Sequence, residues 1–153
     1  MDKINFRKAS FFDFFTLEKI VVDDRKSFDN PLFLKGEKPV YSTWFGLKPH
    51  FKLLLHLIDP KKQVIFVEFN SELAGVSITS NNLIEGFFIN KEFRRKGLGT
   101  KLMQFSADFL VKEKKYKKVK VGVQLTNILA KEFYKKIGFK EKETKGKEII
   151  LEK

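Results

Sequence analysis

The most informative segment of the chain is Arg94-Arg95-Lys96-Gly97-Leu98-Gly99-Thr100. It joins an apolar run that is typical of a strand to an amphipathic helix. Because glycine has no side chain to keep a ligand off the backbone, the amides around Gly97 and Gly99 can point at one anion. The positive end of the helix dipole lies beneath them. The segment therefore predicts a phosphate-binding loop, although an isolated Gly-x-Gly also fits a plain strand-to-helix turn.

The residues around this loop predict a mixed α/β fold. Apolar residues at helical spacing predict a helix from residue 97 to about 115, and a second helix begins at Asn127 and ends at Gly138. Three consecutive strands form an antiparallel meander before the loop, and the strand after the first helix must cross over to run parallel to the third. Strands are predicted at residues 5–9, 63–69, 73–79, 83–90, 117–124, 139–142 and 147–152.

The first third of the chain is less regular. Ser10, followed by Asp13, is typical of a helix start. All four prolines lie within the first 60 residues, so the segment after this helix is interpreted as a loop with short helical pieces, the best of them at residues 44–58.

Composition narrows the class of protein. The 153 residues suit one domain with one core, and 42% hydrophobic residues argue against disorder. No cysteine occurs, which excludes disulfides, thiolate metal sites and cysteine nucleophiles and is compatible with the cytoplasm, where we expect the protein. No apolar run approaches the roughly 18 residues that span a bilayer, and the N-terminus lacks a secretory pattern, so we expect no membrane association.

The chain is strongly basic, with a formal net charge of +12 and a pI near 9.8. This charge favours an anionic partner, which is either nucleic acid, an acidic protein or a polyphosphate cofactor, and it also fits an ordinary lysine-rich surface. The densest basic run, residues 112–118, fits a solvated helix end whose cations complement the dipole. Since no motif that reads DNA or RNA accompanies it, nucleic acid is not the favoured partner.

Two separated motifs carry a resemblance to a known family. Phe88-Ile89-Asn90-Lys91-Glu92-Phe93-Arg94-Arg95-Lys96-Gly97-Leu98-Gly99 is the first, and Asn127-x-x-Ala130-x-x-Phe133-Tyr134-x-x-x-Gly138-Phe139 is the second. In this order, with a helix and a strand between them, they resemble the GNAT superfamily of N-acetyltransferases. One departure is Lys91, where a proline is common; this loop position is not expected to affect the chemistry.

The resemblance implies a single acetyltransferase domain over residues 1–153, with a mixed, mostly antiparallel sheet of six to seven strands and helices on both faces. In this family two parallel strands splay apart, and the pantetheine arm of acetyl-CoA enters the gap. Here the gap is expected between residues 83–90 and 117–124, with Phe87, Phe88 and Ile89 offering backbone groups. The co-substrate is then acetyl-CoA, with no metal. The residues implied to bind it are Phe88, Ile89, Arg94, Arg95, Lys96, Gly97, Leu98, Gly99, Thr100, Asn127 and Tyr134.

Three residues are implied to carry the chemistry of amine acetylation. The Phe87 amide would stabilise the oxyanion, and the Tyr134 hydroxyl would protonate the departing thiolate. Glu85, expected on the same strand face as Phe87 and Ile89, or an ordered water would take a proton from the amine. Each has a plainer interpretation: Tyr134 also fits a core aromatic and Glu85 an edge carboxylate paired with a lysine. Asn127 fits a helix N-cap, and capping is compatible with a contact to the cofactor.

The acceptor is less defined by the sequence. His50 and His56 are six residues apart, which does not place them on one helical face, so a structural role is expected. By analogy, Tyr41, Trp44 and Phe45 lie in the segment that shapes the acceptor site, and the expected acceptor is a primary amine of a small molecule or a peptide. The alternatives are a GNAT-fold acyl-CoA sensor, a longer acyl donor, or a basic module that binds nucleic acid or an acidic protein without catalysis. The oligomeric state stays open between monomer and homodimer.

Overall fold

The computed structural model describes residues 2–13, 15–16, 59 and 61–153. The strands are β1 (Ile4–Lys8), β2 (Lys62–Phe69), β3 (Glu72–Ser80), β4 (Leu83–Ile89), β5 (Lys120–Gln124), β6 (Lys140–Lys145) and β7 (Glu148–Glu152). The α-helices are α1 (Leu98–Asp108), which continues into a π-helical turn (Phe109–Glu113), and α2 (Ile128–Lys136). The helix expected at residues 44–58 and most of the first expected helix lie outside the described residues, as do both histidines.

The described strands form one seven-stranded sheet in the order β1-β2-β3-β4-β5-β7-β6. Neighbouring strands are antiparallel except for β4 and β5, which are parallel. The prediction of a mixed, mostly antiparallel sheet with one parallel pair is confirmed. The parallel pair arises because α1 carries the chain across the sheet between β4 and β5.

Apolar side chains cover both faces of this sheet. On one face, which we call the helix face, α1 and α2 pack through Leu98, Leu102 and Tyr134 onto β-strand residues such as Val121. The other face, the open face, carries a second buried cluster in its centre, formed by Val64, Phe66, Val76 and Ile78. Both described α-helices lie on the helix face, so the expectation of helices on both faces stays a prediction.

Strand β6 is the outer strand at one end of the sheet. All of its residues are exposed, and its sequence Lys-Glu-Lys-Glu-Thr-Lys alternates in charge. A register shift between Glu141 and Glu143 interrupts its pairing with β7. At the other end of the sheet, β1 pairs with β2.

A half-buried ion-pair network ties β1 to β2 and to the turn that follows β1. Arg7 donates to both carboxylate oxygens of Asp13, at 2.9 and 2.8 Å, and to Glu68 at 2.6 Å. The hydrogen bonds from Arg7 are the main cause that lowers the pKa of Asp13 to about 2 from 3.8, and the Ser10 amide adds to them. Arg7 and Asn5 likewise lower the pKa of Glu68.

This network predicts a loss of stability in acid. A carboxylate whose pKa is depressed by folding stabilises the native state above its unfolded pKa, so the contribution of Asp13 is present above pH 3.8 and is lost as the pH falls towards about 2. We expect about 1 kcal/mol from this residue, because Arg7 is partly exposed and solvent screens the pair. Urea unfolding across this pH range checks it. Asp13→Asn should reduce the fall in the free energy of unfolding between pH 3.8 and about 2. Asp108→Asn, which removes an exposed pair with Lys112, should leave this fall unchanged.

Candidate active site

The parallel strands β4 and β5 pair only at their beginnings. Leu83 pairs with Lys120 and Ile84 with Val121, and the ladder then stops although both strands continue. Beyond Ile84 the two strands therefore leave a gap whose edges carry backbone groups that the ladder does not use. The gap predicted between these two segments is present at this position.

The pairing with β3 decides which β4 amides face the gap. The Asn90 amide donates to the Ala74 carbonyl at 2.9 Å, which makes Ile89 and Gly75 a pair without mutual hydrogen bonds. Because backbone groups alternate in direction along a strand, those of Ile89 and Phe87 turn away from β3 and into the gap. Those of Phe88 turn towards β3, so the expectation that Phe88 offers its backbone to the gap is wrong.

Glu85 occupies a β-bulge. The register with β3 shifts between Ile78, which pairs with Gly86, and Thr79, which pairs with Ile84, so Glu85 is the extra residue. A bulge interrupts the alternation of side chains, and Ile84 and Phe87 consequently both pack on the helix face. The prediction that Glu85 shares a face with Phe87 and Ile89 is therefore wrong. Its carboxylate lies 3.1 Å from the Lys62 ammonium, the pairing that the plainer interpretation described.

Aromatic rings gather on the helix face beside the Phe87 amide. The ring centroid of Tyr134 lies 6.5 Å from that of Phe87 in an edge-to-face arrangement, and Phe133 stacks on Phe87 at 6.0 Å. Tyr134 is only 7% exposed. Helix α2 thus holds the tyrosine against the strand residue whose amide faces the gap.

The loop before α1 ends in a glycine with a left-handed backbone. Gly97 has φ 75°, in the left-handed region, and a Cβ there would meet nothing within 4 Å. The first helical hydrogen bond runs from the Lys101 amide to the Gly97 carbonyl, so the amides of Leu98, Gly99 and Thr100 precede it. Within the described residues no acceptor is found for these three amides. A helix start of this kind, with an open glycine at its cap, fits a bound anion.

Gly99 lies where the loop meets the gap. A Cβ added there would lie 3.7 Å from both Ile89 Cγ1 and Phe133 Cζ, an ordinary van der Waals separation. Ile89 and Phe133 therefore converge on Gly99 from β4 and from α2. Phe133 was quoted above only as part of the second motif, and its position next to Tyr134 there was the signal that it borders the gap.

The cations of the loop have different surroundings. The Nε of Arg94 donates to the Ile89 carbonyl at 2.8 Å, which ties the loop to the end of β4. Arg95 is exposed and has φ 64°. The Lys96 ammonium lies over the rings of Phe69 and Phe93, 5.1 and 5.4 Å from their centroids. Of the three, Arg95 is the side chain for which neither a hydrogen bond nor a ring contact is recorded within the described residues.

Asn127 caps α2 as expected. Its side-chain oxygen accepts a hydrogen bond from the Ala130 amide at 3.1 Å. The amide nitrogen of the same side chain is not used by the cap, so capping leaves it free to donate to a ligand. Gly138, with φ 98°, ends the helix in the left-handed conformation that was predicted.

The site offers hydrogen-bond donors and a buried tyrosine rather than metal ligands. Among the described residues, no three His, Cys, Asp or Glu side chains are arranged to hold a metal ion. In the same part of the chain, no helix is both long and apolar enough to cross a bilayer. Amides at a helix start, a strand edge open to an extended ligand and a phenol beside that edge together suit a molecule with a phosphate group and a peptide-like arm.

A model of the acetyltransferase (GNAT) domain matches residues 50–149 of the chain. No curated protein matches its sequence significantly.

Solved structures share the fold. The PaiA N-acetyltransferase of Thermoplasma acidophilum, in complex with coenzyme A, is 24% identical with a TM-score of 0.79, over 99% of this chain and 98% of that chain. The spermidine/spermine N-acetyltransferase SpeG of Vibrio cholerae is 16% identical, with a TM-score of 0.68 over 99% and 94%. An aminoglycoside acetyltransferase from an uncultured soil metagenomic sample, in complex with sisomicin, is 14% identical, with a TM-score of 0.70 over 94% and 92%. At these identities the likeness concerns the fold.

Proposed function

The chain is an acyltransferase of the GNAT family, and on that basis we propose that it acts as a single domain that transfers an acetyl group from acetyl-CoA to a primary amine in a ternary complex. The observation that carries the proposal is the gap between β4 and β5. Its β4 edge presents the amides of Phe87 and Ile89, and Tyr134 lies against Phe87. Neighbours of the same fold that act on spermidine and on aminoglycosides support an amine as the acceptor.

The chain has a group for each part of the co-substrate. The free amides at the start of α1 and the exposed Arg95 suit the diphosphate, and the Ile89 amide suits the arm that would lie along β4. The side-chain nitrogen of Asn127 is a further donor at the start of α2. Leu98 contributes only its backbone, because its side chain is buried in the core. When bound, acetyl-CoA supplies the thioester carbon that the amine attacks.

Each catalytic residue then has one task. The Phe87 amide stabilises the negative charge that develops on the thioester oxygen while the nitrogen–carbon bond forms. The Tyr134 hydroxyl gives its proton to the sulfur as the carbon–sulfur bond breaks. The amine must also lose a proton, and Glu85 is two residues from Phe87, roughly 7 Å along the strand. Because the bulge turns Glu85 to the open face, we propose that an ordered water carries this proton to it.

Thiol release from acetyl-CoA in the presence of a panel of primary amines tests the function, with mass spectrometry to identify the acetylated product. We expect release that depends on both the protein and an amine, and stabilisation of the protein by coenzyme A in a thermal melt. If no amine gives thiol release and coenzyme A does not raise Tm, the proposal is refuted. A salt-sensitive gel shift with nucleic acid in the same preparation would then favour the basic-module alternative.

A further inference from the structure

A cleft opens on the open face of the sheet where the gap begins. It has a volume of about 260 Å³. Its wall includes Asn82, Leu83, Glu85, Lys120, Glu143 and Lys145. Glu85 brings this cleft to within two residues of Phe87, whose amide faces the gap. We call it the acceptor cleft. Under the proposed function the acetyl group lies at the Phe87 amide, and the amine has to approach from the far side of that group.

The carboxylates of the acceptor cleft are already compensated. Glu85 pairs with Lys62 at 3.1 Å, and both side chains are only 18% exposed. Glu143 pairs with Lys145 at 3.1 Å. To bind a second ammonium group of its ligand, the cleft would need a carboxylate that is not paired with a lysine. Glu85 and Glu143 are each paired with one.

Lys120 is the exception among the charged residues of the cleft. It lies between Val119 and Val121, whose side chains are buried on the helix face, so its own side chain is directed to the open face. It is half-buried, and within the described residues its ammonium makes no hydrogen bond or ion pair. The residue opposite on β7 is Glu152, which would be the natural cross-strand partner.

Glu152 is occupied by two other lysines. One of its oxygens accepts from Lys118 at 2.6 Å and the other from Lys142 at 2.8 Å. These hydrogen bonds lower the pKa of Glu152 to about 2, so it is ionised and fully engaged at neutral pH. Among the residues that the structure describes, the Lys120 ammonium is therefore left uncompensated in the cleft. A half-buried cation in this situation favours an anionic ligand group.

We propose that the acceptor is an amine that also carries a carboxylate, and that Lys120 binds this carboxylate. This inference rests on the proposed acetyl transfer and names its substrate class. Lys120 pairs with Leu83, which is four residues before Phe87 and therefore roughly 10 Å away once the bulge is considered. The lysine side chain spans part of that distance. An extended amino acid or short peptide, with its two charged groups several bonds apart, fits better than a compact α-amino acid reacting at its own α-amine.

Three acceptors that differ only in the group at the far end test this proposal: aminohexanoate, aminohexanamide and diaminohexane. We expect wild-type kcat/KM to be about 10-fold higher for aminohexanoate than for the other two, in line with one charge-assisted hydrogen bond. Lys120→Gln should raise KM for aminohexanoate about 10-fold, leave kcat unchanged and abolish the preference. Lys117→Gln is the matched control, since it removes the same charge from an exposed position outside the cleft.

Equal kcat/KM for the three acceptors, or a preference for diaminohexane, would overturn the proposal, as would an equal loss on all three in Lys120→Gln. Calorimetric titration with aminohexanoate in the presence of coenzyme A distinguishes a failure of this inference from a failure of the proposed acetyl transfer. If no acceptor is acetylated but wild type binds aminohexanoate about 10-fold more tightly than Lys120→Gln does, the ligand class stands and only the reaction fails. If wild type and the variant bind it equally, or neither binds it, the inference is wrong.

Discussion

Tyr134→Phe is expected to lower kcat by about 100-fold and to leave the Kd for acetyl-CoA within about twofold of the wild-type value. The substitution keeps the ring, and with it the packing against Phe87, Phe133 and Phe139, and removes only the hydroxyl. If that hydroxyl protonates the departing sulfur, its loss affects the transition state and not the bound ground state. Steady-state kinetics with a saturating amine, together with calorimetric titration of acetyl-CoA, measure the two quantities separately.

Tyr116→Phe is the matched control for this experiment. Tyr116 packs against the same core but lies between α1 and β5, away from the gap, and its loss of a hydroxyl should leave kcat unchanged. A Tyr134→Phe variant with wild-type kcat would remove the tyrosine from the mechanism. A fall in Tm together with kcat would instead indicate that the hydroxyl stabilises the fold.

Gly99→Leu is expected to raise the Kd for acetyl-CoA by about 10- to 100-fold, because overfilling a packed space costs about 1–3 kcal/mol. The added side chain would enter the space between Ile89 and Phe133, where the loop meets the gap. Gly99→Ala should change Kd by less than about threefold, since its Cβ would lie 3.7 Å from its nearest neighbours. Titration calorimetry with acetyl-CoA compares the three proteins.

The exposed surface of α1 provides the control for Gly99→Leu. Gln104→Leu adds a side chain of the same type to the same helix at an exposed position, and we expect no change in Kd. A melting curve for each variant shows whether the helix still packs. Wild-type Kd in a folded Gly99→Leu protein would mean that the ligand does not pass Gly99, and the site would have to be placed elsewhere along the sheet.

Features set by local sequence were predicted from it. The meander, α1, α2 and the parallel pair follow from apolar periodicity and from glycines at helix ends, and the observed bounds of β2, β3 and β4 differ from the predicted ones by one residue at most. The Asn127 cap and the Gly138 terminus are likewise local, since each involves hydrogen bonds within a few residues. The position of the gap was predicted from the family resemblance that the two motifs carry.

The features that were missed depend on contacts between strands. The bulge at Glu85 arises from the register with β3. The sequence of β4 by itself predicts side chains that alternate regularly between the two faces. Gly86 was the available signal, because a glycine inside a strand often marks a bulge. The pairing of Glu85 with Lys62 joins residues 23 positions apart. Lys120 was not singled out, because its lack of a partner among the described residues depends on the pairing of Glu152 with Lys118 and Lys142.

The charged outer strand β6 also affects how the protein behaves at high concentration. An exposed strand edge is a template on which another chain can form a cross-β ladder. A second molecule that approached β6 would meet a row of lysines and glutamates that must lose their hydration, on a strand whose bulge breaks the regular spacing of free amides. Concentrated solutions of the folded protein should therefore not seed fibrils from this edge.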